Sequence, residues 1–201
     1  MFEFTFKNDS VEELNRFVEE VLDNIDAKSG TRRKNMFKRA HGMPEPKDSY
    51  SVTYGYTGNS YMSATKYRKE VQTLKNVYET TILTHHPELK GIFQQLVNLH
   101  FKNDSSTATL DDEPFEVDQV QINRNWWAPP HRDNGNVGIS HIIGLGDYEG
   151  GETVVEYPDN HTEYDIKNKF ASFNGSRYTH WTKPFDGKRY SLVFYKHKLS
   201  K

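Results

Sequence analysis

Past Phe115 the apolar residues change their spacing, and no other feature constrains the fold as much. Val117, Val120 and Ile122 lead into Asn123-Arg124-Asn125-Trp126-Trp127. Short runs follow at 139–145, 153–157, 163–166, 170–173 and 189–197, separated by Gly, Asp and Asn turns. Such runs read as strands. Upstream the spacing is helical. Ser10-Val11-Glu12-Glu13 is a capping box, followed by Val11, Leu14, Phe17, Val18, Val21, Leu22 and Ile25 on one face. A second helix is expected from Ser63 to about His86, with Val71, Leu74, Val77, Tyr78 and Ile82 inside. Pro87 opens a third, with Ile92, Phe93, Leu96, Val97 and Phe101 inside. Helices first and strands after predict an α+β chain. Its core would be a double-stranded β-helix, the jelly roll, with N-terminal helices against one sheet. A length of 201 residues suits one domain. Residues 1–110 would be mainly helical support and 115–201 the jelly-roll core.

Composition removes several function classes. The chain has no cysteine, so disulfides, Cys-based zinc sites and thiol nucleophiles go together. No apolar run approaches the roughly 18 residues of a membrane span, and nothing reads as a signal peptide. An intracellular monomer is expected, nuclear in a eukaryote or in the host cytoplasm for a phage. The net charge of −2 announces no nucleic-acid partner, which would need a local patch. Residues 28–47 offer one: Lys28, Arg32, Arg33, Lys34, Lys38, Arg39 and Lys47 meet only Glu45. The stretch reads as a basic loop, either solvated or touching phosphates. Tyr50, Tyr54, Tyr56 and Tyr61 follow in a loop, where they cover a core or stack on bases. His85, His86 and His100 lack a carboxylate at ligand spacing and read as surface or packed histidines.

The chemistry concentrates at His131-Arg132-Asp133-Asn134-Gly135-Asn136. On a strand, residues two apart share a face, so His131 and Asp133 can reach one metal. Two His and a carboxylate on one side of an ion form the donor set of non-haem Fe(II) oxygenases. The best second His is His180, near the end of another strand. The last strand alternates Arg189, Ser191, Val193, Tyr195 and His197 with Tyr190, Leu192, Phe194 and Lys196. The first set is poor core material, because buried polar groups need partners. It reads as a ligand surface spanning about 26 Å at about 3.3 Å per residue. Arg189 offers a planar fork for a carboxylate and Ser191 a hydroxyl. The Pro184–Gly187 turn would bring this acid site beside His180.

That order of motifs resembles the 2-oxoglutarate/Fe(II) dioxygenases, and within them the TET/JBP group, which oxidises the 5-methyl group of pyrimidines in DNA. The matching segments are HRDNGN at 131–136, SHIIGLGDYEGGE at 140–152 and RYSLVFYKHK at 189–198. Residues 1–110 contribute nothing to the likeness. The resemblance implies His131, Asp133 and His180 as ligands of Fe(II), and Arg189 and Ser191 as the residues holding 2-oxoglutarate, with O2 as second substrate. It also implies Asn136, Tyr195 and His197 as the residues that bind a flipped methylated base. The Cys-rich DNA-gripping module of animal TET enzymes is absent, so DNA contacts must come from elsewhere, with Arg32, Arg33 and Lys34 as candidates.

The expected function is oxidation of 5-methylcytosine to 5-hydroxymethylcytosine and further, in methylated duplex DNA, with base flipping. Three alternatives stand: a JBP-type thymine hydroxylase, a 2-oxoglutarate hydroxylase of protein side chains or small molecules, and a cupin-like binding module without catalysis.

Overall fold

The computed structural model describes residues 11–29, 31–58, 77–79, 82, 85–103 and 119–197. The expected start of a helix at Ser63, with Val71 and Leu74, lies outside them, as do Tyr61 and Val117.

Helix α1 (Val11–Asp23) follows its apolar spacing and buries Leu14, Val18 and Leu22. These join Leu89, Ile92, Phe93, Leu96 and Val97 of α3 (Leu89–Asn103) in one cluster. Both helices lie on a six-stranded antiparallel sheet of order β2-β1-β3-β11-β4-β8. Its strands are β1 (Tyr50–Gly58), β2 (Val77–Glu79), β3 (Gln119–Arg124), β4 (Asn136–Leu145), β8 (Phe170–Phe173) and β11 (Tyr190–His197). Ile122, Ile143, Leu145, Tyr190, Leu192 and Phe194 turn towards the helices. Each fully buried side chain of this kind stabilises by about 1.5–3 kcal/mol over an exposed one.

The sheet's other face meets a three-stranded sheet, β7-β6-β9, made of β7 (His161–Tyr164), β6 (Thr153–Glu156) and β9 (Thr179–Thr182). Ile142, Val155, Ile166, Ala171 and Phe173 fill the space between. Strands β5 (Tyr148–Gly150) and β10 (Phe185–Gly187) form a third pair. Two antiparallel sheets closing on one another, with helices on the outer face of the larger, make the jelly roll expected from the strand spacing.

Four expectations are corrected here. The basic stretch is not all loop: Thr31–His41 is helix α2. Its Lys, Arg, Met and Ala are good helix formers, and Lys38, Arg39 and His41 sit favourably in its last turn. Gly42 closes it at φ 70°, donating N–H to the Lys38 carbonyl at 2.8 Å. Tyr50 and Tyr54 are not in a loop but on β1, 3% and 4% exposed, which bars them from stacking on a base. Val77 and Tyr78 belong to strand β2, not a helix, because pairing of Tyr56–Gly58 with Val77–Glu79 outweighs an apolar spacing that fits either state. The Pro184–Gly187 turn likewise contains a short strand, β10.

Candidate metal centre

Pro129 and Pro130 deliver the chain to His131 in an extended approach. His131 and Asp133 do not lie on a regular strand, as their spacing suggested. His131 makes a single antiparallel bridge with His180 on β9: its N–H donates to the His180 carbonyl at 3.0 Å, and His180 N–H donates back at 2.9 Å. Asp133 N–H donates to the Gly175 carbonyl at 2.9 Å. Backbone bonds therefore hold all three residues together.

The side chains converge. One ligand atom from each of His131, Asp133 and His180 lies within 4.8 Å of the others. His131 Nε2 is 3.6 Å from Asp133 Oδ1, and His180 Nε2 is 3.5 Å from Oδ2. His131 Nδ1 lies 2.7 Å from the Pro129 carbonyl and His180 Nδ1 3.1 Å from the Tyr178 carbonyl. A carbonyl only accepts, so each Nδ1 carries a proton, which leaves the inward-facing Nε2 as the nitrogen that can ligate. Burial, then the neighbouring His180, pushes the His131 pKa down. Burial opposes ionisation of Asp133, but His180, His131 and Arg33 outweigh it and hold its pKa below the usual range. A neutral imidazole beside a carboxylate is the state a divalent cation requires of its ligands.

The three residues line a cavity of about 1090 Å³ that also takes in Asn136, Ser191, Val193, Tyr195 and His197. The alternation along β11 thus does put these side chains on one wall, despite an irregularity between Phe194 and Lys196. Asn136 Nδ2 donates to Asp133 Oδ2 at 3.3 Å and to Ser140 Oγ at 3.2 Å. Gly135 leaves room for the His197 ring: a Cβ there would sit 2.4 Å from its Nε2. Arg189 precedes β11, is 1% exposed and does not line that cavity. Its Nη2 donates to the Gly151 carbonyl at 3.0 Å, and its guanidinium lies over the Tyr148 and Phe185 rings at 5.4 and 5.3 Å. Arg189 Nε, Tyr148 OH and Thr153 Oγ1 are buried and make no well-formed hydrogen bond, although Arg189 and the Tyr148 hydroxyl attract one another. Tyr148 and Thr153 fall in or beside the 140–152 segment, yet nothing in their spacing marked them.

No protein-family model matches the chain, and no curated protein matches it. Similarity appears at the level of structure. NgTET1, in a complex with 5mC DNA, aligns with a TM-score of 0.52 and 17% identity over 94% of this chain and 69% of that one. The two share a fold. OsALKBH1 aligns at TM-score 0.49 and 12% identity, covering 96% and 93% of the two chains. A 2OG-Fe(II) oxygenase family oxidoreductase from Burkholderia pseudomallei aligns at 0.42 and 16%, covering 96% and 92%.

The remaining candidates lie on α2. Arg33 lines the cavity and Lys34 is exposed, while the Arg32 side chain lies outside the described residues. Sequence reading missed the far wall, formed by Ser51 and Thr53 of β1 and by Gln119, Gln121 and Asn123 of β3. On β3 the signal was present, since these polar residues alternate with Val120 and Ile122. Among the described residues no helix is long and apolar enough to cross a membrane.

Proposed function

We propose that the chain is an Fe(II)- and 2-oxoglutarate-dependent dioxygenase that oxidises the 5-methyl group of 5-methylcytosine in DNA. The observation that carries this reading is one cavity lined both by His131, Asp133 and His180 and by Asn136, Tyr195 and His197. In this reading His131 and His180 bind the metal through Nε2 and Asp133 through its carboxylate, the donor set suited to Fe(II) with positions left open. Arg189 and Ser191 hold the far carboxylate of 2-oxoglutarate. The fit is supported by Arg189 itself: among the described residues no carboxylate lies within ion-pair distance of this buried cation, Glu152 acting on it only from further away, and a bound anion would compensate it better. Tyr148 OH and Thr153 Oγ1 are further buried polar atoms of this region without a well-formed hydrogen bond. Bound iron, 2-oxoglutarate and O2 supply the oxidising power, with 2-oxoglutarate ending as succinate.

The chain's own part is to receive and orient the base. A methyl on a paired base is out of reach of a cavity, so the nucleotide must leave the stack at a cost of a few kcal/mol. Stacking on the Tyr195 ring returns about 1–3 kcal/mol. His197 and Asn136 offer groups to the base edge. Arg32, Arg33 and Lys34 on α2 neutralise backbone phosphates. The structural relative NgTET1 was solved with 5mC DNA.

The test is mass spectrometry of nucleosides after incubation with methylated duplex, iron and 2-oxoglutarate. 5-Hydroxymethylcytosine is expected, and Asp133→Ala should form none. An unmethylated duplex in the same assay reports thymine oxidation. Tyr195→Ala and His197→Ala should keep forming succinate while losing oxidised base by roughly ten- to hundredfold. An unchanged ratio of succinate to oxidised base, with lowered thermal stability, would reject the base-binding roles and favour a hydroxylase of proteins or small molecules.

A further inference from the structure

Arg33 differs from its neighbours on α2 in where it reaches. Lys34, Lys38 and Arg39 are exposed, whereas Arg33 is half-buried and lines the cavity with His131 and Asp133. Its Nη2 donates to Gln121 Oε1 at 3.0 Å. Gln121 is 8% exposed and firmly held. Its Nε2 donates to Ser51 Oγ at 3.1 Å and to the Val52 carbonyl at 2.8 Å. With both amide hydrogens committed, Oε1 must face the guanidinium; it also accepts from Thr53 Oγ1 at 3.0 Å. Ser51 Oγ donates to Asn123 Oδ1 at 2.7 Å, and Asn123 Nδ2 to Ser191 Oγ at 3.1 Å. A continuous polar wall thus runs from Ser191 to α2. Among the described residues no carboxylate forms an ion pair with Arg33. Gln121 occupies one donor of a five-donor fork, and the others remain for a ligand.

We propose that Arg33 binds substrate inside the cavity, taking the phosphodiester that flanks the target nucleotide, and that Gln121 is the positioning residue that aims it. The proposal rests on the nucleic-acid reading above and narrows Arg33 from a general phosphate contact to one phosphodiester inside the cavity, aimed by Gln121. The ligand is an anion because the fork matches phosphate oxygens in pairs. It belongs to a polyanion because α2 carries Arg32, Arg33, Lys34, Lys38 and Arg39 with no acid, in a chain of net charge −2. A strand lying along the exposed cations can send one phosphate inward to Arg33.

Fluorescence anisotropy tests this with a single strand bearing one 5-methylcytosine, and with the same strand carrying neutral methylphosphonates on both sides of that base. Wild type should bind the neutralised strand about tenfold more weakly. Arg33→Gln should bind the native strand about tenfold more weakly and no longer distinguish the two. Lys38→Gln should weaken both strands alike. Gln121→Leu, in protein that circular dichroism shows to be folded, should weaken the native strand more than the neutralised one and so reduce the discrimination; an equal loss on both strands overturns its positioning role. Discrimination that survives in Arg33→Gln overturns the proposal. So does 5-methyl-dCMP competing as strongly as the strand, which would make a free nucleotide the ligand, or poly-glutamate of matched charge doing so. Product analysis separates the two readings. Arg33-dependent discrimination without oxidised base sinks the reaction and keeps the contact; oxidised base with additive effects sinks only the contact. Wild type that binds neither strand sinks both.

Discussion

Arg189 carries its charge to a place water does not reach. Burial disfavours the protonated form, although a guanidinium stays charged at any ordinary pH. One carbonyl and two aromatic rings are thin compensation for a side chain 1% exposed. Arg189→Met should therefore separate two properties. The KM for 2-oxoglutarate should rise roughly tenfold to hundredfold, since a charged hydrogen bond is worth about 1.5–3 kcal/mol. Thermal stability without ligands should hold or rise, because a buried and poorly compensated charge has been replaced by apolar volume. Steady-state kinetics and a melting curve on one preparation check both. His141 is a second buried group, bonded to Ser172 Oγ through Nδ1 at 2.7 Å and away from the metal cavity. Burial depresses its pKa to about 4, so the fold holds it neutral. The unfolded chain protonates first, near pH 6.5. The contribution is complete above that pH and is lost as pH falls towards 4. Between pH 7.5 and 5 wild type should lose about 2 kcal/mol more than His141→Gln in urea unfolding. Equal losses would place the titration elsewhere. The iron-site candidates were legible at this scale because ligand chemistry admits few residue types. Tyr148 and Thr153 were not, because an orphaned hydroxyl shows only once its surroundings are folded.

Helix α2 is held to the body by few contacts. Phe37, 2% exposed, meets Trp126 at 5.1 Å, and His41 stacks on Trp127 at 4.5 Å. Phe37→Ala removes a side chain whose loss typically costs about 3–5 kcal/mol, more than a helix of 11 residues can absorb. It should therefore loosen α2 while the sheets stay folded. On the nucleic-acid reading, DNA binding should weaken and its salt dependence flatten, because fewer phosphates are neutralised. Succinate formed without DNA should be unchanged. A fall in succinate equal to the fall in DNA binding would show that α2 supports the sheets as well. This element was misread as loop for a physical reason. Its buried apolar face is the single residue Phe37, with Met36 exposed beside it, so periodicity carried no signal; docking on the two tryptophans and the Arg33–Gln121 bond define it. The reverse held for β11, where alternation placed Ser191, Val193, Tyr195 and His197 on the cavity wall, though not Arg189.

At the scale of the whole molecule, the strands from β3 onward were readable because burial imposes its period on each segment separately, whereas β1 and β2 precede α3 and break the expected order of helices first and strands after. What the periods did not carry was how segments meet. The wall of Ser51, Gln121 and Asn123 forms only when β1 and β3 pair, with Val52 opposite Ile122. The bridge between His131 and His180 is of the same kind, and it has a thermodynamic consequence. Two distant stretches of chain are already clipped by reciprocal main-chain bonds before any metal arrives. The entropy of closing that long loop is lost during folding, not on binding. On the proposed reading a metal ion would enter a ring that is already shut, unlike the ion of a zinc finger, which must gather its ligands from an unfolded chain. Chelator-treated protein should accordingly keep its far-UV circular dichroism and a cooperative melt. Added Fe(II) or Ni(II) should raise the melting temperature only as mass action allows, about 2.7 kcal/mol at a hundredfold excess over Kd. Collapse of the spectrum on chelation would mean that the ion, not the peptide backbone, closes the loop.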